Sequence, residues 1–188
     1  MNTLFINACV REDSRTLYLA HHLLKYIYGD VTHLELAEMK LSPLTRERLD
    51  ERDTALYNRN YDAGILRLAR QFAQADTIVI AAPFWDLSIP TLLKCYIENI
   101  TAAGVTFDYA DNGYRGLCKA KKLYFVTTSG GRRSPDFGYS YVSTLAKEFY
   151  GIQETVCYAA ECLDIMGSDV DAILAEVIAE IDRNEGKR

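Results

Sequence analysis

Residues 77–82, Thr-Ile-Val-Ile-Ala-Ala, form an uninterrupted apolar run, rich in β-branched side chains, that stops at Pro83. A strand with one wet face alternates apolar and polar residues. A run without alternation belongs to a strand covered on both faces, the usual situation inside a parallel sheet flanked by helices. Proline cannot donate to a strand ladder, so the strand ends there. Phe84, Trp85, Asp86 and Leu87 follow, and a helical pattern begins near Ser88. In open parallel sheets, ligands sit just beyond the carboxyl ends of the strands. Two aromatic rings, an acid and a turn of backbone at that place point to a planar, aromatic ligand.

The rest of the chain supports such a sheet. Residues 3–8 and 31–36 read as strands, with Leu17, Ala20, Leu23, Leu24 and Ile27 at helical spacing between them and Gly29-Asp30 as a stop. Residues 41–60 are polar and charged around Ser42-Pro43-Leu44 and read as a surface excursion, and residues 53–70 carry a mixed-charge run expected of a wet helix face. Ile65, Leu68, Ala69 and Phe72 mark a helix before the central strand; Leu92, Leu93, Tyr96, Ile97 and Ile100 mark the one after it, ended by Gly104. Residues 103–119 read as a long loop with Gly113 and Gly116 as turn signals, leading to a strand at 123–128. A helix over 139–150, a fifth strand over 155–160 and a terminal amphipathic helix through Val170, Ile173, Leu174, Val177, Ile178 and Ile181 complete the pattern. Five strands alternating with five helices predict an α/β fold: a three-layer, doubly wound, five-stranded parallel sheet. With 188 residues, no internal repeat and no Pro/Gly/Ser linker, residues 1–188 are expected to form one domain.

Composition narrows the partners. A net charge of −5 offers no basic face for nucleic acid. No stretch approaches the roughly 20 apolar residues that span a bilayer, and the N-terminus lacks the basic leader of a signal peptide. Five cysteines, an odd number with no pair at two-residue spacing, fit free thiols, and a cytoplasmic protein is expected. His21, His22 and His33 show no metal-ligand spacing, and Ser129 lacks the serine-hydrolase elbow.

Three strand ends carry the chemistry. After the first come Arg11, Ser14, Arg15 and Thr16 at a helix start, where guanidinium groups, hydroxyls and free N–H groups suit a phosphate monoester. Simple capping by Asp13 or Ser14 beside two solvated arginines would use the same residues. After the third come Pro83 to Leu87, whose rings would otherwise serve as core. After the fourth come Thr127, Thr128, Ser129, Gly130 and Gly131, where glycines let backbone N–H groups approach a ligand, or make a plain turn. Cys9 beside Arg11 is a candidate activated thiol, although a small buried thiol explains it as well. No Walker loop or GxGxxG follows any strand.

Four segments in this order resemble the FMN-dependent NAD(P)H quinone reductase and azoreductase family of flavodoxin-like fold: INACVREDSRT, APFWDLSIPTLLKCYIENITAAGVTFDY, TTSGG and VCYAAECLD. The resemblance implies that FMN is the cofactor, with its phosphate held by Arg11, Ser14, Arg15 and Thr16. Pro83, Phe84, Trp85, Asp86 and Leu87 would line the N5 and carbonyl edge of the ring, and Thr128, Ser129, Gly130 and Gly131 its N1/O2 edge. It also implies NADH or NADPH as co-substrate, a quinone or azo acceptor reduced by ping-pong hydride transfer, and a homodimer with the pocket at the interface. Trp85, Tyr109 and Phe137 are the candidate walls of the substrate slot. No catalytic side chain and no metal are expected, since the cofactor carries the chemistry. Asp86 departs from the polar amide residue common in the family, and Cys9 from its serine. A flavodoxin-type electron carrier without NAD(P)H turnover is the alternative.

Overall fold

The computed structural model describes residues 1–111 and 113–186; Asn112, within the 103–119 segment, and Lys187 and Arg188 lie outside the described residues. The sheet contains β1 (Asn2–Asn7), β2 (Asp30–Glu35), β3 (Thr77–Ala81), β6 (Lys122–Thr128) and β7 (Glu154–Ala160), all parallel, in the order β2-β1-β3-β6-β7. β3 is central and every residue in it is buried, as its unbroken apolar run requires. This parallel order, with helices on both faces, is the expected doubly wound architecture.

Each strand sorts its side chains to two cores. Leu4, Ile6, Ile78, Ile80, Leu123 and Phe125 face α3 (Arg67–Gln74), α4 (Thr91–Ile100) and α5 (Tyr139–Leu145), where Phe72, Leu93, Tyr96 and Val142 meet them. Phe5, Val79, Ala81, Tyr124 and Tyr158 face α1 (Arg15–Leu24) and α6 (Val170–Glu185), through Leu19, Leu23, Val177 and Ile181. The period of two along each strand therefore builds both outer layers of the sandwich.

Two segments differ from the sequence expectation. The polar stretch 41–60 contains a further helix, α2 (Arg46–Tyr57), which starts at Thr45, whose hydroxyl accepts from the Arg48 N–H at 3.4 Å. Only Ala55 of α2 is buried, so no apolar stripe announces it. The segment 103–119 is a hairpin, β4 (Phe107–Ala110) antiparallel to β5 (Gly113–Gly116), rather than an irregular loop. Gly116 is obligatory, because a Cβ there would lie 2.2 Å from the Gly151 nitrogen.

The chain reverses direction across the sheet between β1 and β3: β2 lies outside β1 on one side, and β3, β6 and β7 follow on the other. A crevice opens at such a switch point because the loops leaving the two strands diverge to opposite faces.

Candidate functional site

A cleft of about 370 Å³ lies at that crevice, lined from four strand ends. The loop after β1 contributes Arg11, Ser14, Arg15 and Thr16. Ser14 caps α1, its hydroxyl accepting from the Leu17 N–H at 3.2 Å, so the following N–H groups and the positive end of the helix face the cleft. The Thr16 and Thr128 hydroxyls, both buried, lie 2.6 Å apart and tie the start of α1 to the end of β6. The Arg15 guanidinium pairs with Asp164 at 3.0 Å across the cleft. Arg11 and Asp13 are exposed at its rim.

The loop after β3 brings Pro83, Phe84 and Trp85 to the cleft. Phe84 N–H donates to the Thr128 carbonyl at 2.9 Å, locking this loop to β6. Trp85 and Ser88 then exchange two backbone hydrogen bonds, of 3.0 and 2.8 Å, around Asp86 and Leu87, which have φ of 51° and 65°. Two consecutive left-handed residues make a tight reversal usually given to Asn and Gly, and both side chains are forced outward into solvent. Asp86 and Leu87 therefore shape the loop but are absent from the cleft lining.

The loop after β6 places Thr128, Ser129 and Gly130 in the cleft. It is zipped to the end of β7: Leu163 N–H donates to Ser129 O, Asp164 N–H to Gly130 O, and Cys162 N–H to Gly131 O, at 3.0 to 3.1 Å. Gly131 accepts a second bond from the Ser129 hydroxyl at 2.6 Å and faces away from the lining. A Cβ at Gly130 would press on the Asp164 side chain, so a larger residue there would require Asp164 to move.

Residues from the fourth strand end, Leu163 and Asp164, were missed by the sequence argument, as were Val10 and Asp13 as lining residues. The signal for the β7 contribution is strand order, since β7 lies beside β6 and its exit loop must border the glycine turn. Cys9 also lines the cleft. Burial pushes its thiol up to about 11, so at neutral pH it is a protonated packing group, its sulfur 3.8 Å from the Ala81 carbonyl.

Of the three expected walls, only Trp85 lines the cleft. Phe137, 57% exposed, lines a neighbouring apolar groove with Ile89 and Tyr141, though its N–H donates to the Leu87 carbonyl at 3.0 Å and its carbonyl accepts from the Ser88 hydroxyl. Tyr109 is 70% exposed on the β4–β5 hairpin. That hairpin joins the far end of α4 to the start of β6 and is anchored by Cys118 N–H to Tyr150 O and Lys119 N–H to Ala73 O, so it belongs to the amino end of the sheet. Within one chain Tyr109 does not reach the cleft.

Among the described residues, no group of His, Cys, Asp or Glu could hold a metal ion, and no helix is long and apolar enough to cross a membrane. The cleft instead offers cations and helix amides at one end and aromatic and amide-bearing loops at the other, which suits a phosphorylated ring compound.

Comparison with known proteins points the same way. The profile of a family described as having a flavodoxin-like fold matches residues 1–184. An FMN-dependent NADH:quinone oxidoreductase of Coprothermobacter proteolyticus is 33% identical over 183 residues, covering 92% of this chain and 90% of that one. A second, from Clostridium acetobutylicum, is 37% identical over 155 residues, 79% of this chain and 76% of its own. The crystal structure of an azoreductase from Bacillus anthracis superposes with a TM-score of 0.88 at 23% identity, each chain fully covered. An FMN-dependent NADH-azoreductase from the same organism, solved in complex with FMN, gives 0.83 at 21%, over 99% of this chain and 98% of that one.

Proposed function

Because the chain belongs to the flavodoxin-like family that includes the FMN-dependent NADH:quinone oxidoreductases, we propose that it binds FMN in the four-loop cleft and uses NADH to reduce quinones, with azo compounds as a further acceptor class. The observation that carries the reading is the convergence, in one cleft, of the capped N-terminus of α1 with the glycine turn after β6. These residues fit FMN: the glycine at 130 leaves the backbone bare at the seam, and the N–H groups and arginines of the first loop match a phosphate.

FMN, when bound, supplies the ring that takes hydride from NADH and passes it to the acceptor. Arg11, Ser14, Arg15 and Thr16 hold the phosphate end. Pro83, Phe84 and Trp85 border the ring, and the Ser129–Gly130 backbone stabilises charge at its pyrimidine edge. Asp86, Leu87 and Gly131 act at one remove, by fixing the two loops that touch it. NADH and quinone use one slot in turn, which is a ping-pong cycle. A homodimer completes the slot, with the exposed Tyr109 and Phe137 presented at the subunit boundary.

Purified protein should be yellow. Its visible band should bleach with NADH under anaerobic conditions and return when quinone is added, and double-reciprocal plots at several quinone concentrations should be parallel. Colourless protein that ignores added FMN would exclude the cofactor; intersecting lines would exclude the shared slot.

A further inference from the structure

The reading of the cleft as an FMN site leaves two acidic lining residues, Asp13 and Asp164, without a role, and only Asp164 is paired with an arginine of the phosphate loop. Asp164 comes from the exit loop of β7, and its carboxylate lies against two features that the cofactor also needs: the Arg15 guanidinium, 3.0 Å away, and the seam over Gly130. Its backbone is fixed, since Asp164 N–H donates to Gly130 O at 3.0 Å and the neighbouring Leu163 N–H to Ser129 O at 3.1 Å. Its side chain is not fixed: it is 71% exposed, and Arg15 is 44% exposed. An ion pair this wet is worth little and can exchange partners at small cost. A phosphate dianion is a stronger partner for a guanidinium than one exposed carboxylate, because it carries more charge and more acceptor oxygens.

On this basis we propose that Asp164 is an internal competitor for the phosphate site: its carboxylate occupies Arg15, must swing into solvent when the cofactor phosphate arrives, and thereby weakens FMN binding and keeps the cofactor exchangeable. The charge count at the rim supports this role. Arg11 and Arg15 are opposed by Asp13 and Asp164, all four lining the same cleft, so the charged residues of the lining sum to zero. The affinity of the site for a phosphate then depends on how readily Arg15 is released. The glycine at 130 is part of the device, because a Cβ at that position would meet the Asp164 carboxylate where it lies over the turn.

The test compares FMN with riboflavin, which carries the same ring but no phosphate. Dissociation constants are measured by quenching of flavin fluorescence in apoprotein of the wild type, Asp164→Asn, Arg15→Met and the double variant. Asp164→Asn should bind FMN about three- to tenfold more tightly, as removal of an exposed ion-pair partner from a phosphate ligand warrants. Riboflavin affinity should stay unchanged. The gain should shrink as salt rises from 0.05 to 0.5 M, a choice of conditions that takes the screening length well below 10 Å. It should also disappear in the Arg15→Met background, where nothing is left to compete for. Unchanged or weaker FMN binding by Asp164→Asn would overturn the proposal, as would an equal change for riboflavin or a gain that persists without Arg15. Wild-type protein that binds neither flavin would instead remove the cofactor assignment itself, and the competitor role with it.

Discussion

At the scale of single residues, the loop after β3 concentrates the strain of the molecule. Leu87 sits at φ 65°, where an L side chain with a Cβ costs roughly 1–2 kcal/mol, and 45% of it is exposed, so burial returns little of that cost. The strain is held by the reciprocal Trp85–Ser88 bonds and by the Phe137 N–H on the Leu87 carbonyl. Leu87→Gly should therefore raise stability by about 0.5–1 kcal/mol, after allowance for the greater unfolded-state freedom of glycine, with no loss of FMN affinity. Urea unfolding at matched cofactor loading is the measurement; a destabilised variant would mean that the Leu87 side chain packs against something, such as a second subunit. Asp86, which from the sequence looked like a charge facing the ring, is turned out into solvent by the same geometry. Asp86 is a residue type that tolerates a positive φ, but Leu87 is not, so the order Phe-Trp-Asp-Leu does not encode two such residues in succession; the tertiary hydrogen bonds impose the second.

Between elements, the site depends on ties that run across the sheet rather than along the chain. The buried Thr16–Thr128 hydroxyl pair connects α1 to β6, 112 positions apart. Thr16→Val leaves the Thr128 hydroxyl buried without that partner, at a cost of about 1–3 kcal/mol. Replacing both threonines by valine removes the unpaired group as well as the bond, so the double variant should be less destabilised than the sum of the two single variants. Strict additivity of the three unfolding free energies would show that the two hydroxyls are not coupled. This tie also shows why the site was partly legible in the sequence. The first, third and fourth predicted strand ends each carried a local signature, and the fold brings them to one cleft. Asp164 ends the VCYAAECLD segment but was given no role there, because its role depends on β7 lying next to β6, a fact of strand order. Helix α2 was only partly legible for a different reason: with only Ala55 buried it has no apolar face to read, and its signals were the Thr45 cap and a mixed-charge run that overlaps only its last turn. The β4–β5 hairpin was read as a loop because its strands are only four residues long and both Gly113 and Gly116 read as turn signals, although Phe107, Tyr109 and Tyr114 gather on one face.

For the molecule as a whole, the two cores carry a pH dependence that the surface charges do not. Cys9, on the α1/α6 side, and Cys118, on the α3/α4/α5 side, are both buried, and desolvation pushes their thiols from 9.0 up to about 11 and about 12. In the unfolded chain each thiol ionises near its ordinary value, whereas the folded protein keeps it protonated. A group whose folded pKa is raised contributes stability that is fully present below the unfolded value and is lost as pH rises towards the folded one. Stability should thus be flat up to about pH 8.5 and fall from pH 9 to about 11 through Cys9 and on to about 12 through Cys118, each thiol contributing on the order of 2–4 kcal/mol across its full shift. Part of this window, pH 8.5 to 10, precedes the ionisation of ordinary tyrosines, so the thiols dominate the slope there. Cys118→Ala removes one titrating group from the interior: it should lower stability at pH 8 by leaving a small cavity, yet show a shallower decline towards pH 10 than the wild type. Urea unfolding at half-unit pH steps separates the two effects, since the cavity shifts the whole curve and the thiol changes its slope. Parallel curves for variant and wild type would show that the Cys118 thiol ionises as freely in the folded protein as in the unfolded chain, which its burial beside β5 and the Thr106 carbonyl forbids.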